Sequence, residues 1–445
     1  MSTARAQRLL EAPILPSIGR LAAPGVLLAL FQTAVSIADT HYVGQLGTDA
    51  LAGLALVFPL VMLLQMTSAG AMGGGVSSAL ARALGGGHEA AARRLVTHAV
   101  VIALGAGLGF TALLLALGEV LYALLGGKGT ALAQALTYSH VLFSGAVFVW
   151  LANTLASVLR GSGNTLIPAL ALATAAIVQI PLSGALTLGW APFPRLGIAG
   201  SALAYVTAFL VSSLGMGVAV WRGALRPRRA DWAIEAHHFR EILRVGALSS
   251  VSSLQTVLTA VVLTGFVGTF GTAALAGYGV GVRLELLQVP LVFAIGQALT
   301  VLVGTHVGAA RGPRAKHIAW TGTAIAVGIS LTIGLFVAVF PATWIRIFSD
   351  DPAVLETGSL YLRIVAPFYA LFGAGMALYF ASQGAGRMLL PVLAGTARLV
   401  LVVAGGAAVV ALSGPLAAIF AVIACGIALF GALILTAVYR ASWGG

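Results

Sequence analysis

Long apolar runs separated by short polar gaps make up almost the whole chain. Each run approaches the roughly 20 residues that an α-helix needs to cross the hydrocarbon of a bilayer. Runs near 17–42, 50–75, 93–117, 132–158, 165–189 and 196–220 precede a polar stretch, WRGALRPRRADWAIEAHHFRE. They resume near 240–265, 272–302, 315–340, 358–382, 388–411 and 414–438, which predicts twelve spans. Glycines interrupt the second and eighth runs, and a short SGP break at 413–415 separates the last two. The expected fold class is an all-α polytopic membrane protein.

The pattern also repeats. IGRLA at 18–22 returns as ILRVG at 242–246, and YVGQLGTDALAG at 42–53 returns as FVGTFGTAALAG at 266–277. GSGNTLIP at 161–168 returns as GAGRMLLP at 384–391, so the register holds across most of each half. Two six-helix halves follow. Six spans bring the chain back to its starting side, so both halves share one orientation and are related by a parallel pseudo-two-fold axis along the membrane normal. The expectation is a V-shaped pair of lobes around a cleft: an amino-terminal lobe over 1–220, a cytoplasmic linker over 221–239 and a carboxy-terminal lobe over 240–445.

Composition strengthens the membrane reading. Charged residues are 8% of the chain and hydrophobic ones 60%, whereas soluble proteins carry about 25% charged residues to cover their surface. The 56 glycines suit closely packed membrane helices. The net charge of +12 sits in short gaps between apolar runs, which favours anionic lipid headgroups as partners and excludes nucleic acid. Of 24 basic residues, 18 fall on the side that receives both termini and the even-to-odd loops. Only Lys128, Arg195, Arg346 and Arg363 fall on the other, and Arg283 and Arg398 lie inside spans. The positive-inside rule then puts both termini in the cytoplasm of a bacterial inner-membrane protein. The first residues, MSTARAQRLLEAPILPSIGR, lack the pattern of a cleaved signal peptide, so the first apolar run is expected to stay. The single cysteine, Cys425, allows no intramolecular disulfide.

Few residues remain that could carry chemistry. Asp39, towards the end of the first span, and Glu285, within the eighth, are acids inside apolar runs. An ionisable group in a membrane is costly and therefore a functional candidate. A carboxylate that gains and loses a proton, or binds Na⁺, can couple an ion gradient to a conformational change. The plainer alternatives are a helix-end acid facing water for Asp39, five residues before Gly44, and a structural ion pair or interfacial segment for Glu285. Gln32, Gln65, Asn153, Gln179, Gln255, Gln288, Gln297 and Gln383 are polar residues within spans, each explicable by ordinary helix–helix hydrogen bonding. The eight histidines show no metal-ligand spacing, and the glycine triplets at 73–75 and 85–87 lack the Lys-Ser/Thr of a phosphate loop. No cofactor and no metal are expected, and no nucleophile–base arrangement points to an enzyme. Transport would draw on a gradient or be passive, unless a separate ATPase assists.

Several blocks resemble the multidrug and toxic compound extrusion (MATE) family, in the prokaryotic branch that includes the DNA-damage-inducible transporters. They are ADTHYVGQLGTDALAG at 38–53, GVSSALARALGGGHEAAARR near 75–94, LRGSGNTLIP at 159–168, PFPRLGIAGSALAY at 192–205, and GYGVGVRLELLQVP with IGQALTVLVGTHVGAARG at 277–312. The resemblance implies export of cationic or amphiphilic organic compounds in exchange for H⁺ or Na⁺ by two alternating lobes. It implies a cation-coupling site in the first lobe around a first-helix aspartate, matched by Asp39, and a fourth-helix asparagine, matched by Asn153. The fifth helix of this branch reads like NIVLDP, and here it reads QIPLSG at 179–184. The family asparagine falls on Gln179, its second aspartate on Ser183, and its sixth-helix threonine on Tyr205. With one acid left in that lobe the resemblance implies H⁺ rather than Na⁺, because Na⁺ prefers a ring of hard oxygens. Glu285 becomes a second polar anchor, with Arg283 beside it expected to hold that acid; Gln32 and Gln255 complete the candidates for a substrate cavity. The expected function is secondary active efflux by a protein functional as a monomer. A flippase for a lipid-linked saccharide precursor is the alternative, and it would need a basic cavity to grip a pyrophosphate.

Overall fold

The computed structural model describes residues 2–443. It is all helical among those residues, with one π-helical and one 3₁₀ interruption inside or between spans and one 3₁₀ turn in a connection. Among the described residues eleven helical stretches are long and apolar enough to cross a membrane, and a twelfth arises if one bent pair counts as a single span. Two compact units divide the chain: residues 1–10 with 23–247, and residues 11–22 with 248–445.

The first unit takes α1 (Ser2–Glu11) as far as residue 10 and α2 (Ile14–Gly44) from residue 23. The second span is α3 (Thr48–Gln65), a π-helical segment (Met66–Met72) and α4 (Gly73–Gly85), followed by α5 (Glu89–Leu124). The fourth span is the bent pair, α6 (Gly129–Ser144) and α7 (Ala146–Gly161), turning by 49°. Then come α8 (Leu166–Leu188), α9 (Ile198–Arg222) and the start of α10 (Ala236–Gly268). The core gathers around α7, which packs on α4, α5 and α9. Tyr122, Phe143, Leu80 and Leu95 are fully buried there.

The second unit repeats that order. The remainder of α10 is followed by α11 (Thr272–Gly308), α12 (Gly312–Val339), the short α13 (Pro341–Ile345), and α14 (Pro352–Val365). A 3₁₀ turn at Ala366–Phe368 leads into α15 (Tyr369–Gly384), and α16 (Leu389–Ala411) and α17 (Leu416–Arg440) complete it. α15 packs against α11, α12 and α17. Tyr361, Tyr369 and Phe420 fill the interior. Arg363, placed by sequence in a connecting loop, lies in the last turn of α14.

The repeated motifs have a physical reason. Gly47 and Gly271, at equivalent places in the two copies, adopt φ of 111° and 103°, a region that side-chain-bearing residues avoid. The last glycine of each motif faces a neighbouring helix at close range. A Cβ on Gly53 would stand 2.7 Å from Gln134 Cβ, and one on Gly277 would stand 2.7 Å from Thr357 Cβ. Each copy thus preserves one turn and one close helix crossing.

The halves differ in their second spans. Glycine does not break the eighth run as expected: α11 continues from Thr272 to Gly308. Helical glycines cost about 1 kcal/mol each relative to alanine, and close packing against α14 and α15 holds the helix regular. The second run is interrupted, by one π-helical segment directly before Gly73.

Candidate functional site

In the first unit α2 carries Asp39 and α8 carries Gln179 and Ser183, one turn apart on one face. The Ser183 hydroxyl donates to Asp39 Oδ1, and Gln179 Nε2 donates to Oδ2 at 3.3 Å. Asp39 is 9% exposed, and Ser183 is fully buried. Tyr138 and Ser201 adjoin the carboxylate. Among the described residues Asp39 takes part in no ion pair. It is a carboxylate at the crossing of two helices, partnered by neutral donors, and not the water-facing helix-end acid that the sequence also allowed.

Asn153 and Tyr205 belong to a second cluster, of which Tyr205 adjoins Asp39. Asn153 Nδ2 donates to Gln65 Oε1 at 3.0 Å and to Ser68 Oγ at 2.8 Å. Gln65 Nε2 donates to the Tyr205 hydroxyl at 2.5 Å. Gln65 ends α3 and Ser68 lies in the π-helical segment. The extra residue of a π turn re-aims side chains, and such segments favour functional sites. Thus Gln65 joins two residues that sequence reasoning had reached by resemblance. Gln65 was visible as one intramembrane glutamine among several, whereas Ser68, Ser201 and Tyr138 gave no signal, because hydroxyls are common in membrane helices.

In the second unit Glu285, on α11, accepts from the Tyr361 hydroxyl and from Tyr369 at 3.3 Å. The arginine facing it is Arg398 of α16. Arg283 is exposed, with its guanidinium over the Phe348 ring at 5.2 Å, so it does not hold Glu285 as expected. Two residues apart on a regular helix the side chains diverge; only tertiary packing could bring an arginine from α16. Gln255 is buried and donates to Thr396 Oγ1 at 2.7 Å, and Gln32 is exposed on α2.

One trio of possible metal ligands occurs among the described residues: His237, His238 and Glu241, with ligand atoms within 4.8 Å of one another. The spacing of histidines along the sequence did not anticipate it. Competing contacts already engage it, since Glu241 lies 3.6 Å from Arg82 and His238 Nε2 lies 3.5 Å from Glu235.

Two repeated bundles of apolar helices, each with a polar cluster inside, define a secondary-transporter class of membrane protein. The MatE family model matches residues 24–184 and, a second time, 249–409. The chain belongs to the MatE family. It is 28% identical over 374 residues to a protein of Shewanella oneidensis named FAD transporter, covering 82% of this chain and 81% of that one. It is 26% identical over 362 residues to a probable multidrug resistance protein NorM of Thermotoga maritima, covering 78% and 75%. Among solved structures, a MOP superfamily transporter from Pyrococcus furiosus, described as having a binding pocket of reverse polarity, superposes with a TM-score of 0.88. It shares 25% identity and covers 97% of this chain and 96% of that one. The outward-facing conformation of a multidrug resistance MATE family transporter gives 0.86 at 25% identity, covering 98% of each. The protein is a multi-pass membrane transporter of small organic compounds with the MATE two-lobe architecture, and not an enzyme.

Proposed function

We propose that the protein exports its substrate in exchange for H⁺, with Asp39 as the coupling group, as in the branch of the family that includes the DNA-damage-inducible transporters. The observation that carries the reading is the buried Asp39 carboxylate with neutral donors on both oxygens. Where the family pattern has a second acid stands Ser183, which leaves a single fixed charge in the cluster. A proton needs one carboxylate; Na⁺ binds best to several hard oxygens with fixed charge.

The hydrogen bonds suggest where the proton goes. A hydroxyl can turn from donor to acceptor, but an amide NH₂ cannot. Protonation at Oδ1 therefore requires only that Ser183 rotate, whereas protonation at Oδ2 would set an O–H against the Gln179 NH₂. Neutralising Asp39 reverses the Ser183 bond and relaxes α2 against α8. Alternation of the two lobes would then release substrate outward, and deprotonation towards the cytoplasm would reset the cycle. Substrate and proton compete energetically and need not share atoms.

The distribution of arginines supports both termini lying in the cytoplasm of a bacterial inner membrane, and nothing in this reading requires more than a monomer. Lipophilic cations are the substrates this reading favours. The 28% identical relative named for FAD favours a second one, a dinucleotide cofactor. The flippase reading has less support: of the two arginines that the sequence places within spans, Arg283 lies over Phe348 and Arg398 faces Glu285.

The test is transport by purified protein in liposomes under an imposed pH gradient, with lipophilic cations and FAD compared. Uptake of a cation that ignores Na⁺ and disappears in Asp39→Asn is the expected result. Full activity of that variant would remove Asp39 from the mechanism. Transport of FAD alone would establish the second reading.

A further inference from the structure

Where α9 ends at Arg222 the chain enters a basic connection, and the structure holds there a cavity of about 640 Å³. Arg93 of α5, Arg226, Arg228 and Arg229 line it together with Trp221 and Trp232, and no acidic side chain does. Asp231, within the same segment, is 4% exposed and already committed. It accepts from Arg93 Nε at 3.1 Å and from the Arg228 backbone N–H at 2.8 Å.

The segment is built rather than loose. Buried Leu225, Pro227 and Asp231 pin its backbone, and Arg229–Trp232 form a 3₁₀ turn. The Arg226 guanidinium rests over the Trp221 ring at 5.5 Å, which fixes it by a cation–π contact. A ligand arriving there meets the Arg226 guanidinium already in place, which lowers the ordering cost of binding. Guanidinium forks match phosphate oxygens better than any other anion-binding side chain.

We propose that this cavity binds the headgroup phosphate of an anionic phospholipid. Its position decides between lipid and a soluble phosphate. Trp221 and Trp232 are 48% and 53% exposed, and tryptophans prefer the depth of the headgroups, where one edge is wet and the other apolar. Trp221 is the penultimate residue of a spanning helix, so the cavity opens at that depth, on the side that carries most of the basic residues. The site lies apart from the Asp39 cluster, and the proposal does not depend on the coupling ion or the substrate.

The experiment titrates the detergent-purified protein with dihexanoyl-phosphatidylglycerol, dihexanoyl-phosphatidylcholine and inorganic phosphate. Indole fluorescence and the thermal midpoint report binding. The expected preference for phosphatidylglycerol over phosphatidylcholine is about ten-fold or more and shrinks as salt is raised. Arg226→Gln/Arg228→Gln/Arg229→Gln abolishes that preference, and the corresponding triple lysine variant, which keeps the charge, retains part of it. If the glutamine variant does not fold, Arg226→Gln alone is titrated and shows a smaller loss in the same direction. Equal binding of the two lipids by the wild type, or an unchanged preference in the glutamine variants, overturns the proposal. Inorganic phosphate binding as tightly as phosphatidylglycerol also overturns it and makes the cavity a soluble-anion site.

Discussion

The contrast between Asp39 and Glu285 shows how differently two intramembrane acids can be held. Asp39 has hydroxyl and amide donors and no cationic neighbour that forms an ion pair among the described residues. Glu285 has two tyrosine hydroxyls and faces Arg398. Removing Glu285 leaves two buried tyrosine hydroxyls short of their acceptor. Glu285→Ala is therefore expected to lose about 1–3 kcal/mol of stability. Glu285→Gln, which keeps an acceptor for the hydroxyls, loses less; thermal unfolding in detergent followed by tryptophan fluorescence separates them. Gln65 is a smaller case of the same physics. Gln65→Ala withdraws the acceptor of Asn153 and the donor to Tyr205, at a cost of about 1–3 kcal/mol. Because Tyr205 lies near Asp39, gradient-driven transport should fall several-fold in that variant while Gln255→Ala, in the other unit, leaves it closer to wild type.

Helices in this protein approach one another through glycine. Gly53 and Gly277 occupy equivalent repeat positions with no room for a methyl group, whereas Gly109 and Gly265 have nothing within 4 Å of where a Cβ would stand. Alanine at either of the first pair must push α3 off α6 or α11 off α14. Each change is expected to destabilise by about 1–3 kcal/mol, read as a lower unfolding temperature. Alanine at Gly109 or Gly265 should be neutral or slightly stabilising, since it only improves helix propensity. A lowered midpoint for both pairs alike would show that glycine serves flexibility here and not packing. The π-helical segment belongs to the same scale: it is the one place where the first unit departs from the second within an otherwise matching pair of spans, and it presents Ser68 to Asn153.

At the scale of the whole molecule, the asymmetry of basic residues carries a topological prediction. In a Cys425→Ser background, a cysteine replacing Arg229 should react in intact cells only with membrane-permeant thiol reagents. One replacing Lys128 should react with impermeant reagents as well. The opposite pattern would invert the orientation drawn from the positive-inside rule. Ion pairs fasten the basic connection to the first unit: Arg93 to Asp231 at 3.1 Å and Arg94 to Glu235 at 2.6 Å. That connection therefore packs with the six helices that precede it, although by composition it looks like a free polar linker.

The class of fold, the number of spans, the six-helix repeat and the acids inside apolar runs were legible in the residue pattern alone. They were so because hydrocarbon enforces a rule on every residue of a span, and because a charge there stands out against an apolar background. The pattern did not determine which side chains meet. Arg283 is two residues from Glu285 along the chain yet turned away by helical geometry, while Arg398 arrives from α16. Nor could it foresee that Gln65 bridges Asn153 and Tyr205, since that contact depends on a π turn that one extra residue creates. Local pattern fixes which segments become helices; the rotation and offset of each helix against its neighbours, set by packing that spans the chain, decides which polar groups share a site.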